Sequence, residues 1–301
     1  MEQTLTLDPR ILSRRALAAL WLAVAGAAVV LAMADGRFGW LGGAALSSIP
    51  QASLVLLLLA LGCEFIDATI GMGYGTTLTP LLLILGYPVT VIVPAAVLSQ
   101  LCGNISASFF HHRAGNVDFL RDHQARNTAL VMGGVGLVVS VASVLVAVRL
   151  PEAVLRVAVA AIVWLLGIFL MASSRLKLRF RWRNVAILAG VAGFNKAISG
   201  GGYGPLVCGG QVLVGLDVRK AVATTALAEA LVCVATVATY YATGATISPA
   251  VLVPLVVGSL LSTPLSALTL RRLPTSLVRR LMGVAVLVLG TVALLKAIRS
   301  I

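Results

Sequence analysis

The segments GMGYG, residues 71–75, and GGGYG, residues 200–204, interrupt two of the most apolar stretches of the chain. Glycine inside a helix costs about 1 kcal/mol relative to alanine, so a cluster of glycines marks a place where the backbone leaves the helix. The two clusters are related. Residues 62–118 align with 191–247 without gaps at a constant offset of 129. Phe65 falls on Phe194, Ala68 on Ala197, Gly71 on Gly200, and Gly73-Tyr74-Gly75 on Gly202-Tyr203-Gly204. Gly86 falls on Gly215, Val89 on Val218, Leu98 on Leu227 and Gly115 on Gly244. Self-similarity of this kind is an internal repeat.

Each copy has the same order. An apolar segment ends at the glycines (51–70; 184–199), and a short one follows (76–86; 205–215). Three long ones come next: 89–111, 127–148 and 152–172 in the first copy, 219–241, 249–270 and 276–297 in the second. A helix of 11 residues is about 16 Å long, half of a ~30 Å hydrocarbon core. The pattern predicts a helix that descends to mid-membrane, breaks at the glycines, and returns.

Composition places the chain in a bilayer. Hydrophobic residues make up 59% and charged residues 11%, with mean hydropathy +1.03, whereas soluble domains are about 25% charged. The net charge of +13 sits between apolar segments, which is the cytoplasmic excess of Lys and Arg in membrane loops and not a nucleic-acid footprint. Arg10, Arg14 and Arg15 precede an apolar run at 16–34 that is too long for a signal peptide, so it reads as an extra transmembrane helix. Basic loops at 112–126, 173–183 and 271–280 alternate with poor ones at 35–50, 86–90 and 242–248. If each glycine hairpin makes no net crossing, every rich loop lies on one side. The N-terminus is then cytoplasmic and the C-terminus external, in a bacterial inner membrane.

The expected fold is an all-α integral membrane protein of two inverted-topology repeats. Each repeat is a glycine-broken re-entrant hairpin plus three transmembrane helices, with one extra N-terminal helix. The divisions are 1–49 for the tail and extra helix, 50–176 for repeat 1 and 177–301 for repeat 2.

Broken backbone at membrane depth is tolerated where protein or water satisfies it, and paired interrupted helices meeting at the midplane are a transporter arrangement. The short helices are predicted to start at Thr76 and Pro205, with proline suiting a first helical position. Both N-termini would present free N–H groups and about half a positive charge to an anion. The competing explanation for the glycines is close helix packing. Potassium-filter chemistry also uses a GYG run, but in four symmetric loops. A cation or anion channel and a non-transporting membrane protein are the alternatives to a transporter.

Four charged residues lie within apolar segments: Glu64, Asp67, Lys196 and Glu229. Such residues face a cavity or a partner. The repeat superposes Asp67 on Lys196 and Gln100 on Glu229, so Asp67 and Lys196 are expected to meet near the axis, as a structural ion pair or in a substrate or gating role. Glu64 and Glu229 have no evident cation, and an acid that takes up a proton could couple an ion gradient to anion movement. Asn195, Ser199, Gln100, Asn104, Thr224 and Thr225 offer neutral donors to an anion. Each could equally make an interhelical hydrogen bond. His111-His112 and their counterparts Tyr240-Tyr241 end helices and read as interface anchors. Cys63, Cys102, Cys208 and Cys233 stand singly, in no metal or redox spacing. No zinc-protease, nucleophile-elbow or phosphate-loop pattern is present, so the chain reads as a non-enzyme with no cofactor and no metal.

The runs GMGYGTTLTPLLLILGYPVT and GGGYGPLVCGGQVLVGLDVRKAVATTALAEAL resemble the two glycine-rich repeats of the sulfite exporter TauE/SafE family, also called the toluene sulfonate uptake permease family. The likeness covers about residues 50–298. Tyr74 and Tyr203 stand where a third consecutive glycine is common in that family. The resemblance implies a secondary transporter of sulfite, a sulfonate or a related organosulfur anion, inward or outward. The substrate would lie against Gly71, Gly73, Tyr74, Gly75 and Thr76 in one copy and Gly200, Gly201, Gly202, Tyr203 and Gly204 in the other. Lys196, Asn195, Ser199, Gln100 and Asn104 would lie beside it, with Glu64, Asp67 and Glu229 as coupling or gating candidates. The expected partners are that anion, the bilayer, a proton or ion gradient and a second copy of the chain. Nucleic acid is not among them. Gly133 is expected to be an ordinary helix position that tolerates a larger side chain.

Overall fold

The computed structural model describes residues 51–173, 182–213, 216–270 and 275–299. The predicted helix at 16–34 lies outside them. Ten helices are described: α1 (Gln51–Ile70), α2 (Tyr74–Ile84), α3 (Val89–Arg113), α4 (His123–Ala147), α5 (Glu152–Ser173), α6 (Trp182–Ser199), α7 (Tyr203–Leu213), α8 (Val218–Ala242), α9 (Pro249–Thr269) and α10 (Thr275–Arg299). Six of them, α1, α3, α4, α5, α8 and α9, are long and apolar enough to cross a membrane.

Local chemistry sets the boundaries. Asp122 and Asp217 cap α4 and α8, their carboxylates accepting from Ala125 N at 3.0 Å and from Arg219 N at 3.0 Å. Pro249 opens α9, where a missing N–H loses nothing. The short helices begin at Tyr74 and Tyr203, two residues before the predicted Thr76 and Pro205, and both are 11 residues long. The reason is that the positive-φ backbone of each break ends at Gly73 and Gly202 (φ 149° and 84°); the next residue is already helical. Pro205 is the third residue of α7, still among the four that have no intrahelical donor bond to lose.

The two halves exchange partners. α1 packs on α9 as α6 packs on α4, and α3 packs on α9 as α8 packs on α4. The remaining long contacts are α3 on α8 and α5 on α10, each a helix against its own counterpart. The last pair extends the symmetry past the alignable sequence. Gly167 lies against the Leu287 backbone and Gly290 against that of Trp164, an exchange at a shorter offset than the 129 of the breaks. Small residues at these crossings let backbones touch, the means by which helices associate in lipid.

α3 and α8 are the most enclosed spans. Around them sits the main apolar core, in which Tyr74 joins Leu78, Ile92, Val97, Leu252 and Leu255. A second core around Tyr203 holds Met132, Ala189 and Val232.

Gly133 is not an open position. A Cβ there would reach Leu231 Cδ1 at 2.6 Å and the Ala228 carbonyl at 3.2 Å, because α4 rides on α8. Gly134, one residue on, has nothing within 4 Å.

Candidate functional site

The two glycine breaks touch each other. A Cβ on Gly75 would overlap the Gly200 carbonyl, one on Gly201 the Gly75 backbone, and one on Gly204 the Gly71 carbonyl. The contact is reciprocal, since Gly75 corresponds to Gly204 and Gly71 to Gly200. The flanking glycines agree in conformation as well, with φ 73° at Gly71 and 70° at Gly200. Only glycine allows this approach. Residues 71–76 and 200–204 are all buried. The tyrosine rings fasten the breaks to the long helices: Tyr74 hydroxyl pairs with Ser99 Oγ at 2.7 Å, and Tyr203 hydroxyl donates to the Met132 carbonyl at 3.0 Å. Ser199 braces the second break, accepting from Gly201 N at 3.2 Å, and Thr76 donates to the Gly73 carbonyl at 3.2 Å.

Beside the crossing lies a buried polar quartet formed by two pairs of equivalent residues. Lys196 Nζ forms an ion pair with Glu229 at 2.9 Å and donates to the Gly200 carbonyl at 3.2 Å and to Gln100 Oε1. Gln100 Nε2 donates to Glu229 at 3.1 Å and to Asp67 at 3.3 Å. The expected direct pairing of Lys196 with Asp67 is therefore replaced. Lys196 takes Glu229, which does have a cation, and Asp67 is reached through Gln100. An amide has a donor and an acceptor, so it fits between an ammonium and two carboxylates; sequence equivalence brings residues to the axis but does not choose which of them touch.

The two helix starts differ chemically. At α2, Asp67 Oδ1 accepts from Tyr74 N at 3.1 Å, so the chain supplies its own anion to that N-terminus. The equivalent position at α7 is Lys196. A cation beside a positive helix end favours a negative group, which Glu229 provides here. Asn195 is half-buried, its side chain against Gly202.

Glu64 is 0% exposed, and neither carboxyl oxygen has a hydrogen-bond partner. It lies over Gly103 of α3, next to the Ser259 hydroxyl of α9. Asn104 Nδ2 and Ser259 Oγ are also buried without partners. Thr224 and Thr225 bond back to the carbonyls of Lys220 and Ala221, and Thr225 also accepts from Gln211 Nε2 at 2.9 Å. Gln211, Ser99 and Ser259 were not singled out in the sequence. Gln211 is the one that could have been, as a glutamine in an 11-residue apolar helix.

The histidine reading needs correction. His111 is buried, not an interface anchor. Its Nε2 donates to the Ala68 carbonyl at 2.8 Å and its Nδ1 accepts from Asn116 at 2.9 Å. Its counterpart Tyr240 donates to the Ala197 carbonyl at 2.7 Å, the equivalent atom. Beyond Asn116 a cavity of about 590 Å³ opens, lined by His112, Asn116, Asp118, Arg121, Asp122 and Lys220. All four cysteines are free, and no metal-holding group of His, Cys, Asp and Glu occurs among the described residues.

A helical bundle of apolar spans around two touching helix breaks and a buried charged quartet defines a multi-pass membrane protein with a polar centre. The family model described as sulfite exporter TauE/SafE matches residues 54–293, and the chain belongs to that family of membrane transporters. It is 26% identical over 197 residues to a Bacillus subtilis (strain 168) protein named probable membrane transporter protein YtnM. The alignment covers 62% of this chain and 63% of that one, so the chain spans less than two thirds of that relative's length. No solved structure matches the chain.

Proposed function

We propose that the protein is a secondary transporter of a small sulfur-containing anion, sulfite, a sulfonate or a related organosulfur anion, bound where the two breaks cross. The observation that carries this is the contact between the breaks beside Lys196. It puts two helix N-termini and one cation at a single buried place, and only the α2 end is already supplied with an anion by its own repeat. An incoming oxyanion would compete with Glu229 for Lys196 and take N–H groups at the start of α7. Charge and shape do not separate sulfonate from carboxylate; the preference for sulfur rests on family membership.

The same reading makes residues 50–176 and 177–301 inverted repeats with α2 and α7 as half-depth helices. The exchanged packing, the 11-residue lengths and the alternation of basic loops support it. The N-terminus is then cytoplasmic, the C-terminus external, and the bilayer a bacterial inner membrane. A thermal-shift screen of sulfite, sulfonates, carboxylates and phosphate on detergent-purified protein tests the substrate class, since a ligand at about 100 times its Kd adds about 2.7 kcal/mol to the folded state. A raised midpoint with sulfur oxyanions, lost in Gly202→Ala and kept in Gly134→Ala, is the expected result. A rise with carboxylate or phosphate alone would reassign the substrate.

A further inference from the structure

Three carboxylates and one ammonium meet at the centre of this molecule. Lys196 is occupied by Glu229 and Gln100, and Asp67 holds the N–H of Tyr74 and the Gln100 amide. Glu64 has nothing comparable: it is fully buried and both oxygens lack partners. The groups around it are Cys63 and Asp67 on its own helix, Tyr74 on α2, Cys102 on α3, Lys196 on α6, Glu229 and Cys233 on α8 and Ser259 on α9. Among these the only cation is the lysine already paired with Glu229. An ionised carboxylate without a partner in an apolar interior is so unfavourable that the group is found neutral instead.

A polar lane leads away from Glu64 between α3 and α9. Ser106 pairs with Thr263 at 2.6 Å. Ser259 Oγ, one turn before Thr263 on the same face of α9, is buried without a partner. From Gly103, under the carboxyl, to His111 is two turns of α3, about 12 Å. His111 bonds Asn116, which lines the 590 Å³ cavity. A buried polar atom without a partner, such as Ser259 Oγ beside the carboxyl, is a place where water binds. The other repeat has no equivalent carboxyl: the positions of Glu64 and Ser106 hold Gly193 and Ala235. Gly193 instead lies directly on Gly136.

We infer that Glu64 is a proton-binding site of the transporter, neutral while it is enclosed and reached from the cavity at Asn116 along the α3–α9 lane. The step is a simple one, in which the carboxylate takes one proton from the lane and returns it when the carboxyl is exposed again. Its purpose, a proton moving with or against the anion, rests on the transport reading above; the protonation itself does not.

Infrared spectroscopy of the purified protein tests this without any substrate. A protonated carboxylic acid gives a C=O stretch separate from the amide bands. The expected result is such a band at neutral pH, lost in Glu64→Gln and retained in Asp67→Asn. If Glu64→Gln does not fold, Ser259→Ala makes the assignment instead, because removing the hydroxyl beside the carboxyl shifts the band. No band in the unaltered protein, a band that survives Glu64→Gln, or one unmoved by Ser259→Ala overturns the proposal. In D2O the band moves as the proton exchanges, and Thr263→Val should slow that exchange; exchange at the original rate would overturn the route. Anion binding and the band fail separately. A band without sulfonate binding leaves the proton site standing and removes the substrate reading, and sulfonate binding without the band does the reverse.

Discussion

The two repeats share a backbone and differ in chemistry. Their glycines take matching conformations at Gly71 and Gly200 and at Gly115 and Gly244, and His111 and Tyr240 reach equivalent carbonyls. Yet at the centre repeat 1 contributes Glu64, Asp67 and Gln100 where repeat 2 contributes Gly193, Lys196 and Glu229. The crossing needs glycine on both sides, because each break is the surface on which the other rests, so geometry is held twofold. The ion pair needs unlike partners, so side chains cannot be. A scaffold of this kind presents an asymmetric polar centre on a repeated frame: one helix start neutralised by its own repeat, the other next to a cation.

The sharpest break of the comparison is topological. The proposed inversion would put the loop after α3 and the equivalent loop after α8 on opposite sides of the membrane. In a chain without native cysteines, an external impermeant thiol reagent should label a cysteine at the exposed Thr246 and leave one at the exposed Arg121 unlabelled. Labelling of both or of Arg121→Cys alone would make the repeats parallel.

Next in size is the crossing itself. Gly75→Val and Gly201→Val push a side chain into backbone that cannot rotate away, beyond the ~1–3 kcal/mol of ordinary overpacking, and should leave no folded protein on size-exclusion chromatography. Gly134→Ala, in open space, should stabilise by up to about 1 kcal/mol in thermal unfolding. Tolerance of both valines would mean the breaks do not meet.

The quartet comes third. Lys196→Ala strands Glu229 and should cost about 3–5 kcal/mol, with most of the loss recovered in Lys196→Ala/Glu229→Gln. A double-mutant cycle on Lys196 and Glu229 should give a larger coupling than one on Lys196 and Asp67. The opposite order would restore the pairing that the repeat alone suggests.

Smaller effects compare the peripheral ties. Tyr240→Phe removes one buried hydrogen bond and should cost about 0.5–1.5 kcal/mol in thermal unfolding. His111→Phe also removes the bond from Asn116, which keeps the Ala267 carbonyl, and should cost more; equal losses would show the His111–Asn116 bond to be idle. Smallest is the link between Asp122, which caps α4, and Lys220 of α8 at 2.7 Å. The Lys220 hydrogen bond, with that from Ala125 N, holds the Asp122 carboxyl below the usual carboxylate range. A depressed folded-state value stabilises above the unfolded one and is lost as pH falls through the folded one. Asp122→Asn should therefore remove a contribution of under about 1 kcal/mol at neutral pH and flatten the acid side of the stability profile; an unchanged profile would show the pair to be inert.

Much of this was legible in the sequence. Composition called the bilayer, because an apolar surface has no other solvent. The offset of the glycine clusters called the repeat and the two 11-residue helices, because left-handed backbone and close approach demand glycine wherever they recur. Tertiary structure decided what periodicity cannot express. Gln100, and not open space, separates Lys196 from Asp67; Glu229 has a cation; Gly133 is packed while Gly134 is free; His111 is buried against Ala68. Each of these depends on which face of one helix meets which face of another. That choice is made by the summed packing of the whole bundle and leaves no local mark on the residues that carry it.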